Sequence, residues 1–188
     1  MYITPKQMNS RIGLAEQIED VMLYVFAYWS IAASAGIGIT EDEVRQDAKD
    51  KMRSVLAKHS KLDSYLKKHI DQVVDEVIDT TIKHTGKDDD SDYWLSRDRA
   101  ALIAENEANS FDNYVDYREA AISGRKTKKW VTEADDKVRM THEIAGGQTV
   151  DIDGLFLVGD SLMRFPMDTM YDADPKEIIN CRCSVIYE

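Results

Sequence analysis

Cysteine and proline are scarce in this chain, with two and three copies in 188 residues. The two cysteines, Cys181 and Cys183, stand one residue apart. On an extended strand that spacing turns both side chains to one face at a separation that a strain-free disulfide does not favour. Reduced thiols in a cytosolic setting are therefore expected, and a disulfide-stapled secreted domain is excluded. No run approaches the ~20 apolar residues of a membrane-spanning helix. Val21 to Ile39 comes nearest and is broken by Ser30, Ser34, Gly36 and Gly38, so no membrane partner is expected. The N-terminal residues show no basic leader, apolar block and small-residue cleavage site, and no secretory signal is read there. Basic residues are a minority, 24 against 35 acidic, for a net charge of −11. The deficit is spread, −8 over residues 1–124 and −3 over 125–188. Neither part is a basic nucleic-acid module, which needs clustered Lys and Arg to displace counterions. One local patch, Arg125, Lys126, Lys128 and Lys129, is the candidate for a nucleic-acid contact, although such a patch is most often a solvated turn. Also missing are a glycine-rich phosphate cradle, an obvious oxyanion hole and paired acid–base carboxylates.

What is present begins with helices. Leu14, Ile18, Val21, Met22, Val25, Tyr28 and Trp29 recur at steps of three and four, the mark of one apolar helix face over about residues 9–35. Gly36-Ile-Gly38 stops it, and Thr40 with Glu43 forms a capping box that opens a second helix running to about His59. Its stripe is Val44, Ala48, Met52, Val55 and Leu56. A third helix carries Leu62, Tyr65, Leu66, Ile70, Val73, Val74, Val77, Ile78 and Ile82, with Gly86 as its left-handed cap. The acidic loop Lys87 to Asp92 reads as a solvated turn, because it lacks the Gly and distant Glu of a calcium loop. Ser96 caps a fourth helix toward Gly124, with Leu102, Ile103, Phe111, Tyr114, Val115 and Ile122 on its apolar side.

After Gly124 glycine, proline and β-formers increase. Strands are expected at Trp130–Val131, Gly154–Val158 and Cys181–Tyr187, with a short helix from about Val138 to Ala145 between the first two. The fold class is α+β: a four-helix N-terminal part, residues 1–124, followed by a small antiparallel sheet with one short helix, residues 125–188, packed as one unit.

The reactive side chains gather at the C-terminal end, in Arg139-Met-Thr-His142, Pro166-Met-Asp168 and Asn180-Cys-Arg-Cys183, and three physical readings compete for them. His142, Cys181, Cys183 and Asp168 have the ligand count of a zinc site, but structural zinc sites usually use Cys-x2-Cys and no second cysteine pair exists. A cysteine with a histidine also has the composition of a nucleophile and its base, with Arg139 to bind an anion. The structural reading is favoured. Arg139 and His142, three apart on one helical turn, hydrogen-bond into the sheet or a loop carrying Asp168. Cys181 and Cys183 face the core while Arg182 faces away, and Trp130 is a core anchor with its N–H satisfied. No catalytic residue, metal or cofactor is assigned. Gly146-Gly147 is taken as a turn.

The ordered series Arg99, Ile103-Ala, Glu107, Asn113, Ala120, Gly124, Lys129-Trp130, Asp135-Asp-Lys-Val-Arg139-x-x-His142, Gly146-Gly-x-x-Val150, Phe156, Pro166-x-Asp168 and Asn180-Cys-Arg-Cys183 resembles the Mu protein F-like minor head family of tailed phages, over about residues 60–188. The resemblance implies a low-copy protein of a phage or prophage head, acting in capsid assembly or DNA delivery without needing a reaction. It implies portal and capsid or scaffold proteins as partners; a weak DNA contact rests only on the basic patch at residues 125–129. It places the protein in the virion head or procapsid, and in the host cytoplasm during assembly. Relatives fused to toxin or nuclease domains make a metal-dependent or Cys/His enzyme the alternative, but no such domain is expected after the Cys-Arg-Cys segment. Many relatives carry a histidine just before the last cysteine motif, where this chain has Glu177-Ile-Ile-Asn180, which removes one candidate ligand.

Overall fold

The computed structural model describes residues 5–35, 38, 40–85 and 91–188. Helices come first: α1 (Pro5–Ala35), α2 (Glu41–Leu56), α3 (Ser64–Thr85), a short α4 (Ser91–Trp94) and α5 (Arg97–Ile122). There follow β1 (Thr127–Val131), α6 (Met140–Ala145), β2 (Thr149–Asp151), β3 (Phe156–Val158), β4 (Ser161–Met163), α7 (Pro175–Ile178) and β5 (Ser184–Tyr187). The class is α+β as expected. The chain divides into two compact units, one of Ile12–Glu107 and one of Ala108–Glu188 with Met1–Arg11.

In the helical unit the expected stripes are buried: Leu14, Ile18, Val21, Met22 and Val25 of α1, joined by Phe26, and Val44, Ala48, Met52 and Leu56 of α2. Tyr28 and Trp29 lie only half-buried. The capping box forms, with Thr40 Oγ1 accepting the Glu43 N–H at 3.3 Å and Glu43 Oε2 accepting the Thr40 N–H at 2.7 Å. It anchors the first turn of α2, where three N–H groups would otherwise lack acceptors. Leu66, Ile70, Val74, Val77 and Ile78 line the inner face of α3. Between α2 and α3 a row of ion pairs links Arg45 and Lys49 to Asp75, at 3.3 and 2.8 Å, and Arg53 to Asp71. Such partly exposed pairs contribute about 0–1 kcal/mol each and set register more than stability. Arg99 is 5% exposed, stacked 4.8 Å from the Phe26 ring, and donates to Thr81 Oγ1 at 2.7 Å and to the Trp94 carbonyl at 2.6 Å. The Gly86 cap, residues 87–90 of the acidic loop and the Gly36-Ile37 break lie outside the described residues. Ser91 and Asp92 belong to α4, which the sequence did not announce.

The apolar face expected for α5 needs correction. Leu102 and Ile122 are exposed, at 37% and 80%, and the buried line runs through Ala100, Ala104, Ala108, Phe111 and Tyr114. Alanines at steps of four let another backbone approach closely, so the small side chains mark the packed face.

In the mixed unit β1 is the central strand of the antiparallel sheet β2-β1-β5, and β3 and β4 pair separately. Trp130 sits opposite Val185 and Lys129 opposite Thr149. Gln148 links the two sheets, accepting the Leu157 N–H through its side-chain oxygen at 3.1 Å and donating to the Leu157 carbonyl at 2.7 Å. Strands β2 and β4 and helix α7 are additions to the expected elements, each only three or four residues long. Cys181 and Cys183 do not lie on the last strand but in the extended segment before it. The core collects Trp130, Phe156, Val158, Met163, Met167, Ala145, Ala173, Cys181 and Cys183.

Candidate functional site

The residues that converge are His142, Cys181, Cys183 and Glu177, none more than 4% exposed. They arrive from three places, two helices and the Cys181–Cys183 segment. Helix α6 is opened by Arg139 in an extended conformation and turns His142 inward. Helix α7 is opened by Pro175 and by Asp174, whose carboxylate accepts the Lys176 N–H at 2.9 Å, and it delivers Glu177. Asn180 then adopts φ 58°, a left-handed conformation that asparagine tolerates better than most residues. That turn starts the extended Cys181-Arg-Cys183 segment, in which both thiols point to the core and Arg182 points out. Two asparagines of α5 hold the segment: Asn109 donates to the Cys181 carbonyl at 2.6 Å and Asn113 to the Cys183 carbonyl at 3.4 Å.

His142 is held on both ring nitrogens. Nδ1 lies 3.3 Å from Cys183 Sγ and 3.6 Å from Cys181 Sγ, and Nε2 lies 3.1 Å from Glu177 Oε2. The same carboxylate oxygen accepts the Thr141 hydroxyl at 2.7 Å. The Trp130 ring meets the imidazole edge-on at a centroid distance of 6.0 Å. Gly159 closes the carboxylate side: its φ is 58°, and a Cβ there would stand 2.8 Å from Glu177 Oε1. Burial works against an imidazolium, but the hydrogen bond and charge of Cys181, with Glu177 behind, outweigh it and raise the His142 pKa. The hydrogen bond from Cys183 pulls the Cys181 thiol pKa down, with His142 adding to it against burial. The hydrogen bond to Cys181 and burial push Cys183 up. Both cysteines are free thiols, and the three ligand atoms of His142, Cys181 and Cys183 lie within 4.8 Å of one another.

Other expected partners are elsewhere. Asp168 is fully buried but does not brace Arg139 and His142. Its carboxylate takes Arg164 Nε at 2.7 Å, Arg164 Nη2 at 2.8 Å and the N–H groups of Arg164 and Met170 at 3.0 and 3.1 Å. A neighbour four residues away in a tight turn reaches it more readily than a remote helix. Arg139 instead donates to the Ile179 carbonyl at the surface. Arg182 makes a two-pronged pair with Asp135 at 2.6 and 2.7 Å, which holds that carboxyl down to about 2. Trp130 is the core anchor expected, and its indole N–H is directed at the Cys183 thiol. The basic patch leads into β1, with Lys128 and Lys129 on the strand and Arg125 and Lys126 just before it. Arg125, Lys126 and Lys129 are exposed, whereas Lys128 is fully buried, its Nζ 4.7 Å from the centre of the Tyr117 ring.

Three residues escaped the sequence: Glu177, Asn109 and Arg164. Asn109 and Asn113, four apart amid small and aromatic residues on α5, carried a usable signal, since buried amides need partners. A carboxylate in a four-residue helix carried none.

The chain matches the family described as phage Mu protein F like protein over residues 38–186. The match begins earlier than the expected residue 60, so α2 also falls within it. No curated protein and no solved structure matches the chain. With the family model spanning most of its length, the chain belongs to the phage Mu protein F-like family, a family of phage head proteins.

Proposed function

We propose that the chain is a minor head protein of a phage or prophage, acting in capsid assembly or DNA delivery through contacts with the portal, capsid or scaffold, and residing in the procapsid and virion head. The family match over both the helical and the mixed parts carries this reading. The mixed unit also offers apolar surface to a partner. Met140 and Ile144, four apart on α6, are 76% and 73% exposed, and Ile179 is 50% exposed. Large apolar side chains grouped on one helical face favour a protein contact over water. No described helix is long and apolar enough to cross a membrane.

One observation favours an enzymatic alternative: thiol, imidazole and carboxylate stand in hydrogen-bonded order, as in a nucleophile with its base and orienting group. Their burial opposes it, since the thiols are only 3–4% exposed and the cleft beside them has room for about one water, not a substrate. A weak DNA contact would fall to Arg125, Lys126 and Lys129, and retained duplex binding after charge reversal of all three removes it. The main proposal is tested by mixing the purified chain with the portal, capsid and scaffold proteins of the encoding phage and measuring association by sedimentation. Association weakened by Met140→Asp and Ile144→Asp is expected. Absence of any complex, or turnover of nucleic acid abolished by His142→Ala in a folded variant, overturns it.

A further inference from the structure

We propose that His142, Cys181 and Cys183 bind a zinc ion, with Glu177 as the carboxylate that orients the histidine. In a tetrahedron with Zn–S of about 2.3 Å and Zn–N of about 2.0–2.1 Å, nitrogen and sulfur ligands stand roughly 3.5–3.6 Å apart. The two Nδ1 to Sγ separations, 3.3 and 3.6 Å, bracket that value. A metal-binding histidine almost always donates its other ring N–H to a carboxylate or carbonyl, which fixes the tautomer that ligates. Glu177 stands at Nε2 and leaves Nδ1 facing both thiols. The glutamate is itself fixed, by the Thr141 hydroxyl and by the missing Cβ of Gly159.

Charge supports the same assignment. Two thiolates and a carboxylate in a dry core carry −3, which a divalent cation and the neighbouring Arg139 guanidinium balance. Soft thiolate with imidazole selects zinc over magnesium or calcium. The Cys-x-Cys spacing is no obstacle in three dimensions. The left-handed Asn180 and the extended segment bring both sulfurs to one side, and the third ligand comes from a helix about forty residues earlier. The fourth position opens to a cleft beside Arg139 and Asn180 with room for about one water. The ion would join α6 to the Cys-Arg-Cys segment, and the assignment stands independently of the head-protein reading.

The test uses the full, reduced chain titrated with Co2+ as a spectroscopic stand-in, then with Zn2+. Expected are thiolate-to-cobalt charge-transfer bands and intense tetrahedral d–d bands that saturate at one equivalent and vanish on adding zinc. Cys181→Ser loses roughly half of the charge-transfer intensity, because one of the two thiolates remains, whereas Asp136→Asn at the surface keeps it. Glu177→Gln retains the bands and weakens affinity about 10–100-fold, the usual cost of losing a ligand's supporting partner. If Cys181→Ser fails to fold, the wild-type titration and the Glu177→Gln comparison decide alone. A folded, reduced wild type that develops no such bands and takes up no zinc overturns the proposal, leaving a metal-free hydrogen-bonded cluster. So does a cobalt spectrum unchanged in Cys181→Ser.

Discussion

The pairing of Asp168 with Arg164 rather than with Arg139 can be measured as a coupling energy. Asp168 is 0% exposed, and the side chain of Arg164 is 14% exposed. Asp168→Ala leaves a largely buried guanidinium and the N–H groups of Arg164 and Met170 without their acceptor, a loss of about 3–5 kcal/mol for breaking one side of a buried pair. Arg164→Ala leaves a fully buried carboxylate and costs a similar amount. The double variant removes both charges together. Its cost therefore falls short of the sum, by a coupling of about 1–3 kcal/mol. Arg139 loses a single surface hydrogen bond to the Ile179 carbonyl, so Arg139→Ala costs about 0.5–1.5 kcal/mol. Combined with Asp168→Ala it adds to within ~0.5 kcal/mol, as non-contacting sites do. Equilibrium urea titrations followed by circular dichroism and tryptophan fluorescence give every term. Additivity between Asp168 and Arg164, or coupling above ~1 kcal/mol between Asp168 and Arg139, would refute the assignment.

Trp130→Ala removes a fully buried ring packed against Phe156 and His142, and a loss of about 3–5 kcal/mol is expected in the same titration. A near-zero change would show that the ring is not in the core. Asp116 is pushed up to about 6 by burial and by Asp112. Because the unfolded chain releases that proton near pH ~3.9, its contribution is whole below that pH and is lost as pH rises through about 6, by about 2–3 kcal/mol. Asp116→Asn should flatten stability between those limits, and an unchanged pH profile contradicts the shift. Lys128 is pushed down to about 8 by burial and by Arg164, so the sign reverses. Its contribution is present above the unfolded value of about 10.4 and is lost as pH falls through about 8. Lys128→Met should raise stability at pH 7, where the wild type must bury a charge; a lower melting temperature there would instead show that the ring contacts of the ammonium outweigh its burial.

The sequence by itself determined the four long helices, because periodicity and caps are local. Thr40 and Glu43 are three residues apart and close their box without help from the rest of the chain. The stripes of α1 to α3 needed only a period of 3.6 to be read. It also determined that chemistry-bearing residues lie in the last third, and their order carried the family. Where apolar bulk misled, packing was the cause: α5 buries its alanines and exposes Leu102 and Ile122, a choice made by how closely its neighbours approach. Strands of three residues, such as β2 and β4, carry too little pattern to announce themselves and exist through their partners. The tertiary structure alone decided the partners of the polar groups. His142 meets Glu177 and the two cysteines, while Asp168 turns to Arg164, because hydrogen bonds of a few ångströms join residues that the sequence separates by as many as 41 positions or as few as four. Burial of Lys128 was decided in the same way: a strand with an exposed lysine on either side of it, at 126 and 129, gives no local sign that one ammonium faces aromatic rings in the interior.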